Sequence, residues 1–260
     1  MAEIRLSVRI SCLQQPFKQA LLTAARLGAA GVEIDARTEV RPADLSDTAL
    51  RQLRKMLDDL NLRVSSVRFQ TSRGYDVQAD LDRRIDATKA AMRMAYQVGA
   101  GVVVNQIGRI PAEATSPNWQ TFRDVMEDLG RFGAHTGAVL AAETGTESGE
   151  DLMRLLTQGA SGFVGVALNP ANWILNDIPI ESNIHAVAER VQLVIAQDAV
   201  RDLAARRGVD VPLGQGTADL PNIIGILEDR QYRGWYVVAH QGSDNPEVSV
   251  QRAINYLRNL

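Results

Sequence analysis

Short runs of β-branched and small apolar residues alternate along the whole chain with longer stretches whose apolar positions recur at helical spacing. That alternation marks repeated strand–helix units, which build a parallel sheet with helices outside it. Eight pairs are readable. The predicted strands are Ile4–Ile10, Gly31–Ile34, Arg63–Phe69, Gly101–Gln106, Ala138–Glu143, Gly165–Leu168, Val191–Ala196 and Gly234–Ala239. Phe17, Ala20, Leu21, Ala24, Ala25 and Leu27 form an apolar stripe that stops before Gly28, as a helix C-terminus often does. Leu50, Leu53, Met56, Leu57 and Leu60 repeat the device, with Ser46 or Asp47 to cap the start and Asn61 the end. Long helices are expected at Ala79–Val98 and Trp119–Phe132. Two more follow at Asp219–Asp229, where Pro221 is tolerated in the first turn, and Pro246–Arg258.

Eight such pairs in 260 residues fit one closed α/β barrel, whose usual length is about 250 residues, so the expected organisation is a single domain over 1–260. The longest irregular segments, Ile107–Asn118, Asn169–Pro179 and Gln197–Ala218, all follow strands and therefore lie at one end of the barrel. Barrel active sites are built from those loops, and their length here points to a binding mouth.

Charge and cysteine content narrow the partners. Twenty-eight Lys and Arg against 31 Asp and Glu give a formal net charge of −3, and the basic residues are spread over helix faces, which argues against nucleic acid and anionic membrane. Cys12 is the only cysteine and reads as a small half-buried hydrophobe, with a catalytic thiol as the alternative. The start, Met1-Ala-Glu-Ile-Arg-Leu-Ser, lacks the apolar core of a signal peptide, and no apolar run approaches the roughly 20 residues that cross a bilayer. A cytoplasmic setting is the expectation.

Six segments carry a resemblance. Gly31-Val-Glu-Ile, Leu140-Ala-Ala-Glu-Thr-Gly, Val166-Ala-Leu-Asn-Pro-Ala-Asn, Val194-Ile-Ala-Gln-Asp, Gly214-Gln-Gly-Thr-Ala-Asp and Gly234-Trp-Tyr-Val-Val-Ala-His-Gln fall in order on the predicted strand ends and turns. With them the chain resembles the xylose-isomerase-like TIM-barrel superfamily, which includes sugar phosphate isomerases and epimerases. The resemblance implies a (β/α)8 barrel acting on a small carbohydrate or sugar phosphate. It also implies a divalent metal held by a glutamate, an aspartate, a histidine and a glutamate at the ends of the fifth to eighth strands. Glu143 matches the first. Asn169 stands in the aspartate's place, Asn172 replaces a histidine found three residues later, Ile195 falls at the histidine with Asp198 retained after it, and His240 occupies the last glutamate's place. Hard ions such as Mg²⁺ and Mn²⁺ favour several anionic oxygens, so no cofactor is expected and a divalent Mn, Mg or Zn ion is disfavoured.

The residue readings follow from strand position. Glu143 and His240 are the expected catalytic pair, since a carboxylate at a strand end and an imidazole with a reference pKa of about 6.5 can exchange protons with a substrate. Arg9 and Arg68, near the ends of the first and third strands, are expected either to compensate Glu143 or to bind a substrate anion. Gln106 suits a polyol hydroxyl, Trp173 is expected either to stack on a sugar's apolar face or to pack its loop against a neighbouring element, and Asn169 and Asp198 complete the expected substrate contacts. His135 and His185 fall away from the mouth. Gly214-Gln-Gly216 reads as a turn before a helix, and not as a phosphate loop.

Two functions compete at this stage. One is a sugar or sugar-phosphate isomerase or epimerase in which protein groups alone move the proton. The other is a barrel that binds a carbohydrate or related metabolite without turnover. An abasic-site endonuclease of the same superfamily would need a histidine-rich zinc site and a basic face, which three scattered histidines and a negative chain do not supply. A homo-oligomer is compatible with either function.

Overall fold

The computed structural model describes residues 4–158, 163–202, 207–239 and 244–260. Eight parallel strands close a barrel: β1 (Arg5–Arg9), β2 (Gly31–Asp35), β3 (Arg63–Arg68), β4 (Val102–Asn105), β5 (Val139–Glu143), β6 (Val164–Leu168), β7 (Val191–Ala196) and β10 (Trp235–Val238). β10 pairs with β1 to complete the circle, with Arg5 to Val8 opposite Trp235 to Val238. Between β7 and β10 the chain makes an antiparallel hairpin, β8 (Asp198–Asp202) with β9 (Arg207–Val211).

Helices α1 (Phe17–Arg26), α2 (Asp47–Asp59), α3 (Leu81–Gln97), α4 (Pro117–Thr136), α5 (Gly149–Gln158), α7 (Ile180–Val187), α8 (Leu220–Asp229) and α9 (Pro246–Arg258) follow the barrel strands, and a one-and-a-half-turn helix, α6 (Pro170–Leu175), is inserted after β6. The eight predicted strands are therefore all present. Ser46 caps α2 by accepting from the Ala49 N–H, as its position before the apolar stripe suggested.

Two sequence expectations are corrected. Gln197–Ala218 is not irregular throughout: it carries the β8–β9 hairpin, whose strand sequences Asp-Ala-Val-Arg-Asp and Arg-Gly-Val-Asp-Val hide their pairing behind charges. Asn169–Pro179 contains α6, because Pro170 at its first position presets the helical φ and Ala171, Trp173 and Ile174 give it a buried face.

The barrel interior divides in two. Val104, Ala141, Ala167, Leu193, Ile195, Val237 and Ala239 fill one part with apolar side chains. At the strand N-termini the space beside Gly31 is taken by Trp235, with the Arg5 guanidinium 4.0 Å from the indole ring centre; a Cβ on Gly31 would come within 2.8 Å of that ring. On the β1–β3 side the interior is polar. The Ser7 and Ser65 hydroxyls share a 2.7 Å hydrogen bond, and Ser66 donates to Glu33 at 2.8 Å. A larger core lies between the sheet and the helices.

Candidate active site

Glu143 is the last residue of β5, where the alternation of the strand turns its side chain inward above Ala141. It is 4% exposed. Its partners are neutral amides: Gln70 Nε2 donates to Oε2 at 2.7 Å, and Asn169 Nδ2 and Asn172 Nδ2 donate to Oε1 at 3.0 and 3.5 Å. Three short-range devices set these donors. Asn169 precedes α6 without capping it, and Asn172 lies three residues on, so both amides project from one side of the helix start. The Thr144 hydroxyl accepts from the Asn169 N–H and donates to its carbonyl, fixing the β6 end against β5. Gln70 accepts the Gln106 N–H through its side-chain oxygen at 2.8 Å, which turns its NH₂ toward Glu143. Asn169 also donates to Gln197 Oε1, so both of its recorded side-chain partners are acceptors.

A cleft of about 250 Å³ opens over this carboxylate. Its walls include Gln106 and Arg109 from the loop after β4, Thr146 and Glu147 from the loop after β5, and Asn172 and Asn176 of α6. Burial holds the Glu147 carboxyl above the ordinary carboxylate range, against hydrogen bonds that pull the other way. The cleft thus has a deep carboxylate, Glu143, and a shallower acid, Glu147.

The opposite side of the mouth is built from ion pairs. Arg9 Nε contacts Glu33 Oε1 at 2.5 Å, with both residues buried. Burial alone would lower the Arg9 pKa, but Glu33 and, beyond it, Glu143 reverse this and raise it. Arg68 pairs with Asp35 at 3.1 Å, while the other Asp35 oxygen accepts the Arg37 and Thr38 N–H groups. Glu39 accepts the Asp35 N–H and, through burial first and the nearby acids second, is pushed up to about 7. Cys12, buried beside this group, is pushed up to about 12 by desolvation and stays a thiol.

The expected residues therefore sort as follows. Glu143, Gln106 and Asn169 lie together at the β4–β6 side of the mouth. Arg9 and Arg68 are at the mouth but bond Glu33 and Asp35 instead of Glu143. Trp173 is 0% exposed and donates its indole N–H to the Glu147 carbonyl, so its ring has no face to offer a sugar; it anchors α6 beneath the loop after β5. Asp198 is 3% exposed and accepts the N–H groups of Ala199, Gly214, Gly216 and Ala218. Both its oxygens are engaged in tying the hairpin to the turn before α8, which is a folding task and leaves them nothing for substrate. His240 lies outside the described residues. His135 and His185 are exposed on α4 and α7, away from the mouth. Sequence reasoning missed Gln70 and Glu147; their signal was position alone, two residues past the end of β3 and four past the end of β5.

A divalent ion of the kind implied by the fold does not match the donors described. Glu143 is the only carboxylate among the four side chains it forms with Gln70, Asn169 and Asn172, Ile195 presents only hydrocarbon, and the described residues contain no group of three or more His, Cys, Asp or Glu side chains arranged to hold a metal.

Known proteins place the chain. The curated inosose dehydratase of Clostridium beijerinckii is 20% identical over 278 residues, covering 94% of this chain and 90% of that protein. A xylose isomerase domain protein from Planctomyces limnophilus superposes with a TM-score of 0.86 at 20% identity, covering 99% of this chain and 97% of the other. A xylose isomerase-like TIM barrel protein from Mycobacterium smegmatis, solved in complex with magnesium, gives 0.79 at 16% identity, covering 99% and 96%. The family pattern itself matches residues 21–260, and with the closed eight-stranded barrel it makes this chain a member of the xylose isomerase-like TIM barrel family.

Proposed function

We propose that this barrel is a carbohydrate isomerase or epimerase whose proton transfer is carried by protein groups, with Glu143 as the base. The observation that carries the reading is the amide cradle. Glu143 is buried and oriented by three N–H donors, faces a cleft, and has no cation bonded to it among the described residues. Such a carboxylate is positioned to remove a proton from carbon beside a carbonyl. Gln106 and Asn172 on the cleft wall suit substrate hydroxyls, and Glu147, whose carboxyl pKa burial raises, suits return of a proton to the developing oxyanion or to carbon. His240 is the second proton-transfer group expected from the sequence. The Mycobacterium smegmatis relative binds magnesium. In this chain Ile195 and the amide-saturated Glu143 favour a route without that ion.

The test is solvent deuterium exchange. Ketoses, aldoses and inososes are incubated with the protein in D₂O, with EDTA and separately with added Mn²⁺, and incorporation beside the carbonyl is followed by NMR. Exchange that survives EDTA and disappears in Glu143→Gln supports the reading. Exchange only with Mn²⁺ restores a metal-dependent route. Binding without exchange under either condition identifies a carbohydrate-binding barrel that has no turnover.

A further inference from the structure

Across Gln70 from the Glu143 cleft lies a second cavity, of about 440 Å³, between the loop after β3 and the start of α3. Four arginines line it, Arg37, Arg73, Arg83 and Arg84, against one carboxylate, Asp80. Among the described residues none of the four makes an ion pair, although the chain as a whole is net negative. Arg37 donates to the Gln70 carbonyl at 2.8 Å, and Arg73 and Arg83 stand exposed at the rim. Arg84 fixes the back of the cavity: it is only 8% exposed, its two terminal nitrogens hold the Val77 and Ala79 carbonyls, and its buried Nε has no partner among the described residues. A buried donor left unmet is costly unless something else meets it. α3, 17 residues long, begins on the same wall, and the Asp80 side chain makes no capping bond to it, so the positive end of that helix adds to the guanidinium charge.

We propose that this arginine cavity is a binding site for a phosphate monoester or free phosphate at the edge of the barrel mouth. Arg73 and Arg83 at the rim, with the remaining donors of Arg37, supply guanidinium groups from separate segments of one cavity wall, which suits a dianion with three equivalent oxygens, and Ser72 on the wall adds a hydroxyl donor. Gln70 bonds a wall residue of each cavity, Arg37 through its carbonyl and Glu143 through its amide. The phosphate therefore belongs either to a phosphorylated substrate that extends toward Glu143 or to a separate ligand. The site itself does not depend on the isomerase reading.

Isothermal titration of the full chain with inorganic phosphate, in a chloride buffer, tests the site. Saturable binding is expected, weakened about tenfold or more in Arg73→Glu/Arg83→Glu and less in the Gln pair, while the exposed pair Arg51→Glu/Arg252→Glu leaves it unchanged. Thermal melts confirm that each variant folds, the rim positions being solvent-facing. No binding at about 10 mM phosphate, an unchanged affinity in the rim variant, or equal weakening by the remote pair overturns the proposal. A ketohexose 6-phosphate and the free ketohexose then separate the two sources. Weakening of the sugar phosphate by both Glu143→Gln and the rim variant makes the phosphate part of the substrate, and weakening by the rim variant alone makes it a separate ligand's.

Discussion

On the β1–β3 side of the mouth the buried and half-buried acids are matched by cations or backbone: Glu33 by Arg9, Asp35 by Arg68 and two N–H groups, Glu39 by the Asp35 N–H. On the β4–β7 side Glu143 hydrogen-bonds only carboxamides, and the end of β7 contributes the hydrocarbon of Ile195 to the barrel interior. Both arrangements satisfy a buried carboxylate, but with different consequences. A tight ion pair closes on itself and commits its charge to the fold, because removing either member strands the other in a poor solvent. Neutral donors orient a carboxylate while leaving its charge available to whatever enters the cleft. On the proposed function, reactivity lies on the side with fewer charges.

The sharpest test of that division is Glu143→Gln, which should lower deuterium exchange by about 10²- to 10⁴-fold, the usual contribution of a positioned base, while the chain still unfolds cooperatively near the wild-type temperature. A collapse of stability instead of activity would place Glu143 with the structural acids. Glu33→Ala should behave in the opposite way, costing about 3–5 kcal/mol in urea unfolding because Arg9 is left buried and unpaired. The apolar double variant Arg9→Met/Glu33→Leu should recover most of that loss, and a cost near zero for the single variant would break the contrast. Asp198→Asn is expected to cost about 1–3 kcal/mol, since an NH₂ would then face backbone N–H groups, with no change in exchange per folded molecule.

The smallest effect is a pH slope. The Glu39 pKa in the folded protein lies above its ordinary value of 4.5, so its contribution to stability is fully present in acid and declines as pH rises, because the unfolded chain ionises first; the decline is complete once pH passes about 7. Allowing for its partial exposure, that is on the order of 1 kcal/mol between pH 5 and 8. Urea midpoints across that range should fall more steeply for the wild type than for Glu39→Gln. Parallel slopes would remove Glu39 from the coupled acids of the charged side.

The barrel was legible because its strands are β-branched runs separated by helices with apolar stripes, and such runs keep their meaning whatever surrounds them. Strand ends were legible too: Glu143 ends an apolar run that turns it into the mouth, and the family resemblance puts Ile195 at a metal-ligand position. Trp173 misled because a tryptophan between polar residues looks solvent-facing until α6 turns it onto a buried face with Ile174. Asp198 misled because four backbone donors from a segment up to 20 residues away converge on it, which no local pattern announces. Gln70 escaped notice because an uncharged amide in a loop carries no signal until the fold brings it 73 positions across the chain to Glu143.

The loop that carries Gln70 meets the loop after β4 at two glycines. A Cβ on Gly74 would lie 2.2 Å from the Gly108 Cα, one on Gly108 2.6 Å from the Gly74 Cα, and Gly108 also adopts a φ of +98° that side chains resist. Tyr75 N–H bonds the Ile107 carbonyl between them. For anyone diversifying this barrel the two loops are a single unit of variation. A library that changes either glycine, even to alanine, forces the loops apart and carries Gln70 off its carboxylate, so new specificities are best sought by grafting both loops together.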